Sequence, residues 1–215
     1  MSRRAEMKAG MAAGSDRPWP DWDATDTGSL MDQITDLPTV PLLLDRMRLQ
    51  IERQGSLGVL SINVLQSSAI ERVTGWKAFD SIVRDVGRFL ASINTIHLRR
   101  DDFVSEVMIN GNAFVVLLAP PRDKEKMDIE DLRGVRDRLH GKLRRFLTKR
   151  LPPEISERFT CYIGASLVLS DPAMRSERLV YRALDEAQAD SLAERDRAAR
   201  RDLMSLREVL ASRLV

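Results

Sequence analysis

Hydrophobic residues recur along this chain with two different periods, which predict helices and strands from about residue 39 onward. Four segments have the spacing of amphipathic helices: 41–54, 76–96, 124–151 and the chain from 174 to the C-terminus. Four other segments alternate or run apolar in the manner of strands: 57–65, 103–109, 113–119 and 158–169. Asn110 and Gly111, between the second and third strands, are a strong signal for a tight hairpin.

From residue 57 the predicted order is β-α-β-β-α-β, the ferredoxin-like unit, with one helix before it and one after it. This order predicts an α+β fold in which helices pack on one face of an antiparallel sheet. We expect a single domain over residues 29–200. Residues 1–28, rich in Gly, Pro, Asp and Ala, are predicted to form a flexible tail, and residues 201–215 a helical extension.

The composition excludes several classes of protein. Of the 215 residues, 43% are hydrophobic and 31% are charged, which is typical of a globular domain. The 34 Lys and Arg residues nearly balance the 32 Asp and Glu residues, so nothing indicates a surface for nucleic acid or for membranes. One cysteine excludes an intrachain disulfide and a multi-thiolate zinc site, and two histidines leave little for a metal cluster or a catalytic triad.

Hydropathy indicates a cytoplasmic protein. The longest apolar run, 113–121, is well short of the roughly 20 residues that cross a bilayer. Arg3 and Arg4 are followed by no apolar stretch, so the N-terminus lacks the pattern of a secretory signal.

Two regions outside the predicted domain carry candidate partner-binding residues. Trp19 and Trp22 lie in the tail, where they either dock on the chain's own domain or anchor another protein. An apolar edge near the C-terminus is formed by Leu203, Leu206 and Leu210. This edge either packs back onto the domain or joins a partner helix, and self-association through it would make the protein a homodimer.

Six segments, in order along the chain, resemble the GGDEF domain of bacterial diguanylate cyclases. They are DQITDLP at 32–38, the strand at 57–65, Gly75 with Asp80, NGNAF at 110–114, TCYIGA at 160–165 and the helix at 182–190. In the family these places hold D-x-L-T-G-L-P, the D-x-D strand, part of G-H-x-x-G-D, the signature hairpin, T-V-S-I-G and A-D-x-A-L-Y. The resemblance covers about residues 29–200 and implies the same α+β fold.

A diguanylate cyclase joins two GTP molecules by attack of a ribose 3′-hydroxyl on an α-phosphate, and carboxylates hold the metal for this reaction. The resemblance implies that the family's two metal-binding carboxylates correspond to Asn63 and Asn112 in this chain. The acidic residue that follows the second carboxylate in the family corresponds to Ala113. Glu106 lies four residues upstream of the hairpin and does not obviously substitute. Since hard dications favour charged oxygen ligands, we expect no metal, no cofactor and no cyclase activity. The degenerate signature hairpin comprises Asn110, Gly111, Asn112, Ala113 and Phe114.

Some of the family's remaining nucleotide-contacting residues are kept in this chain and others are replaced. The guanine-recognising pair falls on Glu71 and Asp80, and only Asp80 keeps the family residue. The late phosphate-contacting lysine falls on Ser191, and Arg195 stands at the matching arginine.

Arg99 and Asp102 have the R-x-x-D pattern of the family's inhibitory site for cyclic di-GMP, two residues further upstream than usual. Arginine recognises phosphate and guanine through paired N–H donors, which suits this ligand. The alternative is a charged, solvated turn between a helix and a strand.

These observations favour a non-catalytic GGDEF-like signalling module that acts through protein–protein contact in a bacterial regulatory pathway. The alternative is a receptor for cyclic di-GMP or GTP without turnover, and the missing carboxylates disfavour an active nucleotidyltransferase. Family members are commonly joined to a sensor or receiver domain, and residues 1–28 are too short to form one. We therefore expect regulation by a separate protein partner.

Overall fold

A computed structural model describes residues 30–32, 35–64, 75–96, 98–99, 101–108, 111–122, 124, 126–156 and 161–213. The predicted tail of residues 1–28 lies outside these ranges. Within them, no helix combines the length and the apolar character that crossing a membrane requires.

The described chain forms a four-stranded antiparallel sheet surrounded by helices. The strands are β1 (Ser56–Val64), β2 (Phe103–Glu106), β3 (Ala113–Leu118) and β4 (Cys161–Leu169). The helices are α1 (Val40–Gln54), α2 (Trp76–Ile96), α3 (Ile129–Arg150), α4 (Pro153–Ser156) and α5 (Ser176–Arg213). The strands lie in the order β2-β3-β1-β4, and each neighbouring pair is antiparallel. The predicted α+β fold, a ferredoxin-like core flanked by α1 and α5, is confirmed.

Helices cover both faces of the sheet, so the expectation that they pack on one face is wrong. Leu60 and Ile62 of β1 pack in a core shared with α2 and α3. Leu57 and Val59 of the same strand pack in a second core shared with α1 and α5. All nine residues of β1 are buried as a result. A strand covered on both sides carries apolar residues at successive positions, as the run LGVL at 57–60 does.

The start of one helix differs from the prediction for a local reason. Helix α3 begins five residues later than predicted because Asp128 forms its N-cap, where its side chain accepts the backbone N–H of Asp131 at 2.8 Å. The helix predicted from 174 to the C-terminus corresponds to α5, which continues without a break through the predicted extension to Arg213.

Both edges of the sheet are covered by other parts of the chain. At β4, the carboxylate of Asp190 on α5 accepts the backbone N–H of Ala165 at 3.0 Å. At β2, the backbone N–H of Glu106 donates to the carbonyl of Pro38 at 2.9 Å, and Thr39 forms a parallel bridge to Glu106. These edge groups are satisfied within the chain and are not offered to a neighbouring strand.

Helix α5 approaches β4 so closely at Gly164 that no side chain fits between them. A Cβ at this position would overlap the carbonyl oxygen of Ala187 and the backbone nitrogen of Ser191. Both atoms belong to the backbone of a long helix, which cannot move aside by rotating a side chain. The glycine therefore determines how closely Ser191 lies against the sheet.

Gly164→Ala is expected to lower the free energy of unfolding by about 2 kcal/mol or more, because the added methyl group pushes α5 away from the sheet. Gly141→Ala is the matched control, since a Cβ on this residue of α3 meets nothing within 4 Å. The control should raise the free energy of unfolding by about 0.5–1 kcal/mol. Urea unfolding measures both changes. Similar changes in the two variants would contradict the close packing of α5 on β4.

Candidate functional site

Asn63, near the end of β1, lies in the middle of the sheet and is 8% exposed. Its backbone is paired with Ala113 of β3 and with Tyr162 of β4. Its side-chain Nδ2 donates a hydrogen bond to the hydroxyl of Ser191 on α5, and this hydroxyl donates to the carbonyl of Gln188 at 2.7 Å. Amide, hydroxyl and carbonyl thus form one chain of neutral hydrogen bonds.

Asn63 and Ser191 stand where the resemblance puts a metal-binding carboxylate and a phosphate-binding lysine. In this structure the two side chains bond to each other. Ser191 is almost fully buried, and its one hydroxyl proton is already donated to a carbonyl. A carboxylate at position 63 would therefore compete with the carbonyl of Gln188 for this one proton.

Asn112 fastens the hairpin between β2 and β3 to the end of β1. Its Nδ2 donates to the carbonyl of Val64 at 3.3 Å, and the N–H of Val64 donates to the backbone carbonyl of Asn112 at 2.9 Å. A carboxylate could not make the first of these bonds, because it has no proton to donate. Asn63 and Asn112 therefore do not fit a divalent cation, which favours charged oxygen ligands. Among the described residues, no three His, Cys, Asp or Glu side chains are grouped to hold a metal.

The other signature positions serve the hairpin itself. The N–H of Gly111 donates to the carbonyl of Met108 at 3.1 Å, and a Cβ on Gly111 would lie 2.9 Å from that oxygen. Ala113 is half-buried, and Phe114 is fully buried in the core. Asn110 lies outside the described residues. From Gly111 to Phe114 the hairpin thus contributes backbone geometry and a core side chain, without an ionisable group.

The remaining predicted nucleotide contacts lie on separate elements. Asp80 is exposed on α2, and Glu71 lies outside the described residues. Arg195 lies one turn beyond Ser191 on α5 and forms an ion pair with Asp196 at 2.8 Å. In the described part of the chain, no hydrogen bond or ion pair joins Asp80 to Arg195.

Asp102 holds the turn that leads into β2. Its carboxylate accepts the backbone N–H groups of Arg99 and Ala119, each at 2.8 Å. Burial raises the pKa of Asp102, and the two backbone N–H bonds oppose this rise. Arg99 lies along the same turn, where its Nη1 donates to the carbonyl of Pro120 at 2.9 Å. The R-x-x-D pair thus has a structural use in this chain.

A cavity of about 500 Å³ opens beside this turn, within the size range of small-molecule sites. Apolar side chains such as Val116 and Leu118 line its inner wall. Charged groups also line it, namely Arg99, Asp102, Arg138, Lys142, Glu130 and Asp131. The motifs do not point to Arg138, because it belongs to a different element from the R-x-x-D pair. The four-residue spacing of Arg138 and Lys142 on one helix face is the signal that could have found them.

A second group of polar side chains is buried where the opening segment, defined here as residues 30–32 and 35–39, crosses β2. The hydroxyl of Thr35 lies 2.7 Å from Oε1 of Glu106 and 3.2 Å from Oδ1 of Asp32. Glu106 and Asp32 are each 1% exposed. Burial, together with the nearby Asp32 carboxylate, raises the pKa of Glu106 to about 7, and the bond from Thr35 opposes the rise. The hydrogen bond to Thr35 shows that Glu106 contacts the opening segment, which sequence reasoning missed.

The candidate partner-binding residues are described only in part. Trp19 and Trp22 lie outside the described residues. The structure gives the backbone of α5, but not the side chains, for Leu203, Leu206 and Leu210. Their assignment to partner contact therefore stays a prediction.

The sequence matches no protein-family model and no curated protein. The structure is similar to that of the diguanylate cyclase SiaD from Pseudomonas aeruginosa, solved in complex with its activator SiaC. Sequence identity is 21% and the TM-score is 0.55, over 80% of this chain and 61% of that chain. It is also similar to the GGDEF domain of DgcB from Caulobacter crescentus, solved in complex with c-di-GMP. There the identity is 16% and the TM-score is 0.54, over 86% of this chain and 94% of that chain.

A third similar structure is that of a sensory box/GGDEF family protein from Caulobacter crescentus CB15. The identity is 21% and the TM-score is 0.52, over 76% of this chain and 99% of that chain. Likeness at such low identity is evidence of shared architecture. The described chain therefore has the fold of a GGDEF domain, as its motifs predicted.

Proposed function

We propose that this protein is a GGDEF-fold signalling module that acts through protein–protein contact in a bacterial regulatory pathway and does not synthesise cyclic di-GMP. The observation that carries the proposal is the buried hydrogen bond between Asn63 and Ser191. The resemblance to the family puts a metal-binding carboxylate and a phosphate-binding lysine at these two positions. The module is proposed to be cytoplasmic and to work without a cofactor.

The reaction of a cyclase makes demands that these residues do not meet. Attack on an α-phosphate builds negative charge, which a bound dication neutralises. The neutral amides of Asn63 and Asn112 do not recruit a dication, and their nitrogens are bonded to the protein. A carboxylate at position 63 would be buried and could accept the proton of Ser191 only if the bond from Ser191 to the carbonyl of Gln188 were given up, at a cost on the order of 1–3 kcal/mol.

A separate protein partner is in keeping with the similar structures, since SiaD was solved with the activator SiaC. In this chain we assign partner contact to Trp19 and Trp22 of the tail and to the last part of α5. Met204, on that part of α5, is 64% exposed. Large apolar side chains held in solvent are typical of contact surfaces.

A second function, as a receptor for cyclic di-GMP without turnover, is favoured by the cavity beside Arg99. Arg138 and Lys142 add two cationic groups from α3 to its lining. A cyclic dinucleotide presents phosphates and guanine edges, which guanidinium groups bind through paired N–H donors. The GGDEF domain of DgcB was solved with this ligand.

Purified full-length protein is expected to form no cyclic di-GMP from GTP in the presence of Mg²⁺ or Mn²⁺, because neutral Asn63 and Asn112 stand where the resemblance puts the two metal-binding carboxylates. Chromatography of the nucleotides after a long incubation measures the product. A diguanylate cyclase with an intact signature, assayed in parallel, shows that the conditions support the reaction. Product above the level of a protein-free sample would overturn the non-catalytic proposal.

Full-length protein used as bait is expected to retain a protein partner that variants lacking residues 1–28 or 202–215 lose. These segments carry the apolar residues to which we assign the contact. Trp76→Ala is the matched control, because this exposed tryptophan lies on α2, outside both segments, and its loss should leave the partner bound. If both truncated variants keep the partner, the assignment of the contact surface is wrong.

The receptor function predicts saturable binding of cyclic di-GMP in isothermal titration, with a Kd of about 1 μM or lower. Arg138→Ala should weaken binding at least about tenfold, because it removes a cationic group from the cavity. Arg145→Ala is the matched control, since Arg145 is exposed on the same helix and is not among the residues that line the cavity. Absence of heat with the unmodified protein rules out this function. Equal weakening by both substitutions would indicate general attraction of charge instead of a site.

A further inference from the structure

The opening segment is closed into a loop and attached to the edge strand β2. The N–H and the hydroxyl of Thr39 both donate to the carbonyl of Leu30 at 2.9 Å, which closes the loop. Two bonds then reach Glu106 at the end of β2. Its N–H donates to the carbonyl of Pro38 at 2.9 Å, and its Oε1 accepts the hydroxyl of Thr35 at 2.7 Å. Glu106 thus takes part in the attachment through its backbone and through its side chain.

Two carboxyl groups compete for one hydroxyl at this attachment. Thr35 has a single hydroxyl proton, which it can donate either to Glu106 or to Asp32, but not to both. Asp32 also accepts the backbone N–H of Thr35 at 2.9 Å, so its negative charge is compensated locally. A second buried carboxylate beside it would be repelled. The neutral acid is therefore the form of Glu106 that fits the docked segment.

The surroundings of Glu106 favour this neutral form. The charged groups on the elements packed around it are Asp32 and Asp36 of the segment, Arg84 and Arg88 beside Gly87 on α2, and Arg46 on α1. Arg46 lies over the ring of Phe103, 4.0 Å from its centre. Of these groups, Asp32 is the one whose charge acts on Glu106, and burial acts more strongly still. Together they raise the pKa of Glu106 from an ordinary value of 4.5 to about 7.

The same segment reaches the main core through helix α2. A Cβ on Gly87 would overlap the methyl group of Thr35 and lie 3.2 Å from the ring of Phe114. Asp36, next to Thr35, adopts a left-handed backbone with φ of 58°, a conformation that costs free energy and persists only while neighbouring contacts hold it. Release of the segment therefore loosens a contact that extends to the core, although the bond from Thr35 itself favours ionised Glu106 and only partly offsets burial and the charge of Asp32.

We propose that the opening segment is a proton-controlled latch, which stays docked on β2 while Glu106 is a neutral acid and is released when Glu106 ionises. Docked Glu106 binds its proton more tightly than released Glu106, so docking is strongest below pH 4.5 and weakens as pH rises to about 7. Above that pH there is no further change. The latch determines whether the opening segment is held on the sheet, and it does not depend on the function proposed above.

Hydrogen exchange of the full-length protein, followed by mass spectrometry at about pH 5 and about pH 8 and corrected for intrinsic rates, measures docking. Protection of peptides from residues 30–39 is expected to fall roughly a hundredfold between the two conditions. Peptides from β1 serve as the internal reference and should change much less. Glu106→Gln, a permanently neutral side chain of the same shape, should keep the segment protected at both pH values. Glu52→Gln, at an exposed carboxyl near the C-terminal end of α1, is the matched control and should behave like the unmodified protein.

Equal pH dependence in the unmodified protein and in Glu106→Gln would overturn the latch. If the variant does not fold, carbon-13 NMR of the Glu106 carboxyl group in the unmodified protein decides the matter. Titration near pH 7 that coincides with loss of protection at residues 30–39 supports the latch. Titration without loss of protection, or no titration between about pH 5 and about pH 8, rules it out.

Discussion

Burial of β1 on both faces is the constraint on which the rest of the structure depends. A polar group on such a strand has to find its hydrogen-bond partner inside the protein. At the end of β1, the side chain of Asn63 bonds to the hydroxyl of Ser191, and the carbonyl of Val64 accepts the side-chain amide of Asn112. Ser191 can lie there because Gly164 leaves room for the backbone of α5 against β4. Neutral side chains at the candidate site are therefore satisfied by the hydrogen bonds available around them. Ionised side chains there would need further hydrogen-bond donors or a counter-charge.

Burial has opposite consequences at the two polar clusters of the molecule. The bond between Asn63 and Ser191 joins groups that carry no charge at any ordinary pH, so it is a fixed part of the fold. The contact between Thr35 and Glu106 includes a carboxyl group whose pKa is raised to about 7, so its strength depends on a proton. Both clusters lie on strands of one sheet, yet only the second can change state without a change of sequence.

Local periodicity predicted the features that are set by residues close together in the sequence. Examples are the helix at 76–96 and the order of helices and strands along the chain. It missed the start of α3, because several acidic residues stand before this helix and only one of them, Asp128, forms the cap. Contacts between distant residues could not be predicted in this way. Thr35 and Glu106 are 71 residues apart, and Asn63 and Ser191 are 128 residues apart. The family resemblance assigned both Asn63 and Ser191 to positions that bind metal or phosphate, and so indicated that they lie in one site. No motif connected Thr35 with Glu106.

Strand β2 has only four residues, and a polar anchor lies at each end of it. Before the strand, Asp102 binds the N–H of Ala119 just after β3, and at its last residue Glu106 binds Thr35. A strand paired along its whole length cannot slip by one residue without turning its side chains to the opposite face. The two anchors therefore lie at the ends of a strand whose single register against β3 is set by all four of its residues.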